Sequence, residues 1–156
     1  MDEIDRKIAL AVQEDGSAGL ADLAKVSGLS VSATAERVKR LEERGVIRGW
    51  HAHLDPAFVG CPLLAFLRVA VRAGKDEAGF RRAMRRHEAV LECHALTGEW
   101  GHLLKLRLPD MAALETFLAE EIRALPGVER VAVEVALASL KETALLPVAP
   151  VPPEEE

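Results

Sequence analysis

Apolar positions recur at helical spacing three times in the first third of the chain, and turn chemistry closes each run. Ile4, Ile8 and Ala11, widened by Val12, predict an amphipathic helix over residues 2–14, ended by Asp15-Gly16-Ser17. Leu20, Leu23 and Ala24 give the buried side of a short second helix. Gly28 supplies the permissive backbone of a tight turn, and Ser30 can cap a third helix by accepting from a free backbone N–H. On that third helix Val31, Ala35, Val38 and Leu41 form one apolar stripe aimed at the first two helices. Gly45 ends it, and residues 46–53 read as a strand or wing.

The period then changes. Leu63, Ala65, Leu67, Val69 and Val71 alternate with Leu64, Phe66, Arg68, Ala70 and Arg72, which predicts a strand. Asp76 can cap a helix that turns Phe80, Met84 and Ala83 inward and leaves Arg81, Arg82, Arg85 and Arg86 wet. Residues 91–97 read as a strand, 98–101 as a turn and 102–108 as another strand. Asp110 caps a helix with Leu114, Phe117, Leu118 and Ile122 on one side, Leu125-Pro126-Gly127 stops it, and Val131, Val133, Val135 and Leu137 alternate along a last strand. Strand, helix, strand, strand, helix, strand is the order of a split βαβ, ferredoxin-like domain.

The fold class is therefore α+β. A winged helix-turn-helix occupies residues 1–53, a linker with Pro56 and Gly60 as breakers spans 54–61, and the ferredoxin-like domain runs over 62–141. Residues 142–156, rich in proline and ending Glu154-Glu155-Glu156, read as a disordered acidic tail.

Two helices can cover only one face of a four-stranded sheet. The other would carry Arg68, Lys105, Arg107 and Glu134 among Leu64, Phe66 and Ala136. Left wet, that face would expose a sizeable apolar patch, so a second copy packing its own sheet there is favoured over a solvated sheet. A dimer also suits the front half, because two symmetry-related helix-turn-helices read two half-sites.

Nearly half of the 156 residues are hydrophobic, yet no apolar stretch reaches the roughly 20 residues of a membrane span. The acidic start Met1-Asp-Glu-Ile-Asp is unlike a secretory signal, and Cys61 and Cys93 sit in apolar surroundings that favour reduced thiols. These features predict a soluble cytoplasmic protein without a membrane partner. A net charge of −5 argues against indiscriminate nucleic-acid binding. Local charge differs: between Leu29 and Arg48 lie Arg37, Lys39, Arg40, Arg44 and Arg48, against Glu36, Glu42 and Glu43.

Basic residues near a helix C-terminus can serve only the helix dipole. The three-helix pattern with the Ser27-Gly28-Leu29-Ser30 turn moves the balance toward double-stranded DNA. Ser32, Ala33, Glu36, Arg37 and Arg40 are the candidate reading surface, short side chains near the helix start allowing close approach to base edges. Ser30 and Thr34 belong to the same candidate DNA-binding set, and Lys39, Arg44 and Arg48 are candidate phosphate anchors.

The chain resembles the Lrp/AsnC, or feast/famine, family of prokaryotic transcription regulators. The resemblance rests on Ile4-Asp5-Arg6-Lys7-Ile8, Gly28-Leu29-Ser30, Glu36-Arg37-Val38-Lys39-Arg40-Leu41-Glu42, Gly45-Val46-Ile47-Arg48-Gly49-Trp50, Thr97-Gly98-Glu99-Trp100, Leu104-Lys105 and Leu125-Pro126-Gly127-Val128, in that order and spacing. It implies dimers that assemble to tetramers or octamers, and a small-molecule effector, usually an amino acid, bound between dimers. The loop Thr97, Gly98, Glu99, Trp100, Gly101 and His102 corresponds to the one that family members use in that site. Many members carry an aspartate followed by an aromatic where this chain has Gly101 and His102. Glycine cannot pair with an effector's ammonium group, which leaves Glu99 for that role, an effector that is not an ordinary amino acid, or none.

No catalytic constellation, phosphate loop or cofactor motif is present in the sequence. Cys93 and His94 are adjacent on a strand and point to opposite faces, and His51 with His53 makes only half a metal site, so no metal is expected. Two alternatives stand beside the regulator. One is an enzyme like the sirohaem decarboxylases, which resemble the family in domain order; the intact helix-turn-helix pattern and the absence of tyrosine weigh against it. The other is an architectural DNA-binding protein without an effector.

Overall fold

The computed structural model describes residues 1–148, in two compact units: Met1–His53 with the segment from Lys141, and Leu54–Leu140. The first unit holds α1 (Glu3–Glu14), α2 (Leu20–Ser27) and α3 (Val31–Glu43). Asp2 caps α1 by accepting from the Asp5 N–H at 2.8 Å, while the Asp5 carboxylate accepts from the Asp2 N–H at 3.4 Å. Gly28, at φ +72°, closes α2 in the left-handed region that a side chain would disfavour. Ser30 caps α3, accepting from the Ala33 N–H at 3.2 Å. Ile8, Leu23, Ala24 and Leu41 form the small core.

Two expectations change here. Val31 is exposed, and Thr34 is buried in its stead. The Thr34 hydroxyl donates to the Ser30 carbonyl at 3.0 Å and lies 3.1 Å from Ser27 Oγ, which itself donates to the Ala24 carbonyl. A hydroxyl with its hydrogen bonds made is buried at little cost, so a polar residue takes a core position that hydropathy assigns to a valine. Residues 48–55, moreover, form no strand. The chain folds back instead: the Val46 and Ile47 N–H groups both donate to the Leu41 carbonyl, and the Trp50 indole donates to Glu42 Oε1 at 2.9 Å. A strand requires a ladder partner, and the described residues of this unit offer only helices and irregular chain.

In the second unit β1 (Leu63–Val71), β2 (Val90–Ala95), β3 (His102–Leu108) and β4 (Val128–Val135) make one antiparallel sheet in the order β2-β3-β1-β4. The helices α4 (Lys75–Met84) and α5 (Met111–Thr116), the latter continued by π-helical turns over Phe117–Arg123, cover one face. Ala65, Leu67, Val69, Leu104 and Leu106 meet Phe80, Met84, Leu114, Phe117 and Ile122 in the core. Register puts Leu64, Phe66, Arg68, Leu103, Lys105, Arg107 and Glu134 on the opposite, helix-free face. Arg68 pairs there with Glu134, and Lys105 with Glu92 at 3.2 Å.

Asp76 does not cap α4. Gly74, at φ +93°, is the N-cap, and the Asp76 carboxylate lies 3.4 Å from Arg72 and against Gly127, where an added Cβ would come within 2.5 Å of the Asp76 side chain. Gly127 also accepts from the Arg72 N–H through its carbonyl, so the turn feeds β4 at Val128, and the fully exposed Leu137 falls beyond the strand. The start of the tail is held rather than free: Gln13 accepts from the Leu146 N–H at 2.7 Å and donates to its carbonyl at 3.2 Å. The rest of the expected tail, 149–156 with its three glutamates, lies outside the described residues. Both cysteines are free. Among the described residues no helix is long and apolar enough to cross a membrane, and no cluster of ligands suits a metal ion.

Candidate nucleic-acid interface and effector loop

The cap that starts α3 leaves Ser32, Ala33, Glu36, Lys39 and Arg40 on its outer side, all exposed. Arg40 lies 3.6 Å from Glu36 and Lys39 3.8 Å from Glu43, with every one of these side chains more than half exposed. Such pairs are worth little in water, so both cations can exchange a carboxylate for a phosphate. Arg44 and Arg48 are exposed just past the helix. Short residues at the helix start, flanked by exposed cations toward its end, are the arrangement a major groove accepts.

Two of the sequence-predicted residues stand elsewhere. Thr34 is fully buried and spends its hydroxyl inside the unit. Arg37 turns toward α1, where it pairs with Asp2 and, at 2.8 Å, with the largely buried Asp5. The Asp5 N–H and this guanidinium hold the Asp2 carboxyl below the usual aspartate range, and the two carboxylates raise Arg37 in turn. Arg37 is thus a clip between α3 and α1 rather than a free reading group. The signal was an acidic capping box, Asp2 and Asp5, opposite an arginine beside the apolar stripe.

The loop from Thr97 to His102 divides between the two faces of the sheet. Gly98 at φ +96° and Gly101 at φ +70° shape it, and the Leu96 N–H donates to the Gly101 carbonyl at 2.7 Å. Trp100 lies on the helix-free side, with the guanidinium carbons of Arg130 and Arg68 at 4.9 and 5.7 Å from its ring centroid. Arg130 also donates to the Glu99 carbonyl at 3.2 Å and approaches its carboxylate at 3.7 Å. The result is a half-buried indole bracketed by two cations, with a carboxylate on either flank, Glu99 and Glu134. Arg68 and Arg130 are members of this cluster that reading the loop alone misses.

His102 goes the other way. Its side chain is 2% exposed on the helix side, packed on Phe80, and Nε2 accepts from Arg81 Nε at 3.2 Å. Glu77 lies 3.5 Å from the same nitrogen. Burial first, then Arg81, pushes its pKa below the ordinary histidine value. An imidazole so placed is neutral and structural. It anchors the loop's last residue and does not line the surface that Trp100 presents.

The chain matches the AsnC-type helix-turn-helix domain over residues 1–42 and the Lrp/AsnC ligand binding domain over residues 64–146. It is 36% identical over 145 residues to the leucine-responsive regulatory protein of Escherichia coli K12, covering 92% of this chain and 88% of that one. Among solved structures it resembles a transcriptional regulator from Neisseria meningitidis in complex with L-Met, at 34% identity and TM-score 0.89, with 94% and 96% of the two chains covered. An AsnC family regulator from Agrobacterium tumefaciens follows at 32% identity and TM-score 0.88, over 94% and 97%. The two matched domains, in the order the structure shows them, and these likenesses over most of both chains establish that the chain belongs to the Lrp/AsnC family of DNA-binding transcriptional regulators.

Proposed function

We propose that this regulator reads its operator with Ser32, Ala33, Glu36 and Arg40, anchors to phosphate through Lys39, Arg44 and Arg48, and acts in the cytoplasm as a homodimer or a larger assembly without catalysing a reaction. The outer side of α3 carries the reading: short groups at its start and exposed, weakly paired cations behind them. The effector is an amino acid or a close relative. Glu99 would receive its ammonium group, Arg130 and Arg68 its carboxylate, and Trp100 its side chain, each by charge-assisted or stacking contact. The Neisseria regulator bound to L-Met supports that class.

The test is recovery of bound genomic fragments, then gel-shift titration on the shared motif. Arg40→Ala should cost about tenfold or more in operator affinity and relax preference at one base pair. Arg44→Ala should weaken all duplexes alike and reduce the salt slope by about 0.9 for each phosphate left unneutralised. A wild-type protein that retains no duplex at low salt would end this reading.

A further inference from the structure

The proposed function makes no use of the outer side of α4. Arg81, Arg82, Arg85 and Arg86, all exposed, line an open hollow of about 670 Å³ there, and Glu77 is its one carboxylate. That volume lies within the range of small-ligand sites. The negative end of the helix accounts for cations in its last turn, where Arg81 and Arg82 stand. It does not account for two more just beyond. Arg82 and Arg86 are four residues apart, as are Arg81 and Arg85, a spacing at which like charges repel.

Glu77 answers one of these charges and no more. Its carboxylate meets Arg81 at 2.6 Å, and Arg81 Nε donates to His102 Nε2 at 3.2 Å, so this guanidinium is held from two sides. Among the described residues Arg82, Arg85 and Arg86 make no ion pair. Each carries five N–H donors in a fixed fork and cannot shed its charge by losing a proton. Three such groups stand around one hollow with no carboxylate to receive them. A bound anion removes that repulsion.

We propose that this hollow binds an oligophosphate, a chain of three or more linked phosphates, through Arg82, Arg85 and Arg86. Guanidinium forks match phosphate oxygens in pairs, and linked phosphates offer several such pairs within reach of neighbouring arginines. A single phosphate would occupy one fork and leave the others uncompensated. A duplex fits less well. Phe80 and Met84 of α4 share a core with Leu114 and Phe117, so the two helices lie side by side, and the second exposes Glu115, Glu120 and Glu121. A duplex broad enough to overlap both would set phosphates against those carboxylates, whereas an oligophosphate stays on α4. The hollow is also on the opposite side of the sheet from Trp100, Arg68 and Arg130. It is therefore a second site, for a ligand of another chemical class, and it depends on neither the operator reading nor the amino-acid effector. Inorganic polyphosphate and the triphosphate of a nucleotide share the chemistry it recognises.

The experiment is equilibrium dialysis of the full-length protein against tripolyphosphate, orthophosphate and ATP at about 50 mM salt, repeated near 0.5 M where screening is strong. At low salt tripolyphosphate should bind about tenfold or more tightly than orthophosphate, and high salt should remove most of that binding. Arg82→Ala/Arg85→Ala/Arg86→Ala should weaken it by about tenfold or more. The triple Arg→Lys variant keeps the charge but not the forks, so it should bind between the two and guards against a folding defect. Arg123→Ala, which removes an exposed cation elsewhere on the unit, should bind as the wild type does. ATP held as tightly as tripolyphosphate would mean that the phosphate chain alone is read; ATP held more tightly would make a nucleotide the source. A wild type that prefers tripolyphosphate no more than orthophosphate, or an alanine variant that keeps its affinity, overturns the site. So does a random duplex whose salt dependence falls in the alanine variant while tripolyphosphate fails to bind the wild type, which would give the arginines to DNA. Absence of duplex binding by the wild type would sink the proposed function and leave the dialysis result standing.

Discussion

Under the proposed reading, Arg37 would serve DNA binding without touching DNA. It neutralises Asp2 and Asp5 where α1 meets α3, and without it two carboxylates would stand uncompensated beside the helix proposed to face phosphate. Arg37→Ala should therefore lower the melting temperature and weaken operator binding by roughly three- to tenfold through repulsion of phosphate. Adding Asp2→Asn and Asp5→Asn should recover most of the affinity, checked by titration on the operator and on random duplex. If Arg37 read a base, the affinity would stay low and preference at one base pair would relax. The residue scale is also where sequence reading erred most. Charge and periodicity place Arg37 and Thr34 on an outer face, but both face α1 and α2 because polar partners, Asp5 and Ser27, wait there. Hydropathy counts carry no record of such pairings.

Elements were legible where one physical rule decides them. The strand phases followed from strict alternation, so the side chains of the helix-free face are readable from the sequence alone. The caps at Ser30 and Asp110 followed from their hydroxyl and carboxylate chemistry. Asp76 failed as a cap because a tertiary contact, with Arg72 and the Gly127 turn, claimed it first. The wing failed because a strand cannot be read without its ladder partner. The effector loop shows the same limit, since alternation puts His102 under the helices while the loop's indole crosses to the other side. That burial has a consequence for pH. His102 has a folded-state pKa below its unfolded value, so protons bind the unfolded chain more readily and stability is full above about pH 6.5. As pH falls from there toward the folded-state pKa, that stability is lost. Thermal melts between about pH 6.5 and 5 should show a falling midpoint in the wild type and a flatter one in His102→Gln, which keeps an acceptor for Arg81. Equal slopes would mean the imidazole titrates freely.

At the scale of the molecule, the proposed pairing of two copies through the open sheet face would let two α3 helices act together. Leu64, Phe66 and Leu103 lie there among Arg68, Lys105, Arg107, Glu92 and Glu134, and Phe66 stands in register between Lys105 on β3 and Glu134 on β4. A face that mixes half-buried Phe66 and Leu103 with charges of both signs suits a copy of itself, which would supply both apolar and opposite-charge contacts. Phe66→Asp puts a carboxylate at the centre of that surface, where desolvation would cost several kcal/mol without a partner. The isolated fold should tolerate it, because Phe66 points away from the core formed by Leu67, Phe80 and Leu104. The variant should therefore be a folded monomer by sedimentation, with an unchanged far-ultraviolet spectrum. Its operator affinity should fall by about 10²–10⁴-fold, since the second half-site would no longer be reached at high effective concentration. Its affinity for a single half-site should stay close to that of the wild type. A Phe66→Asp protein that remains dimeric would assign pairing to another surface, and a monomer that keeps full operator affinity would separate DNA reading from pairing altogether.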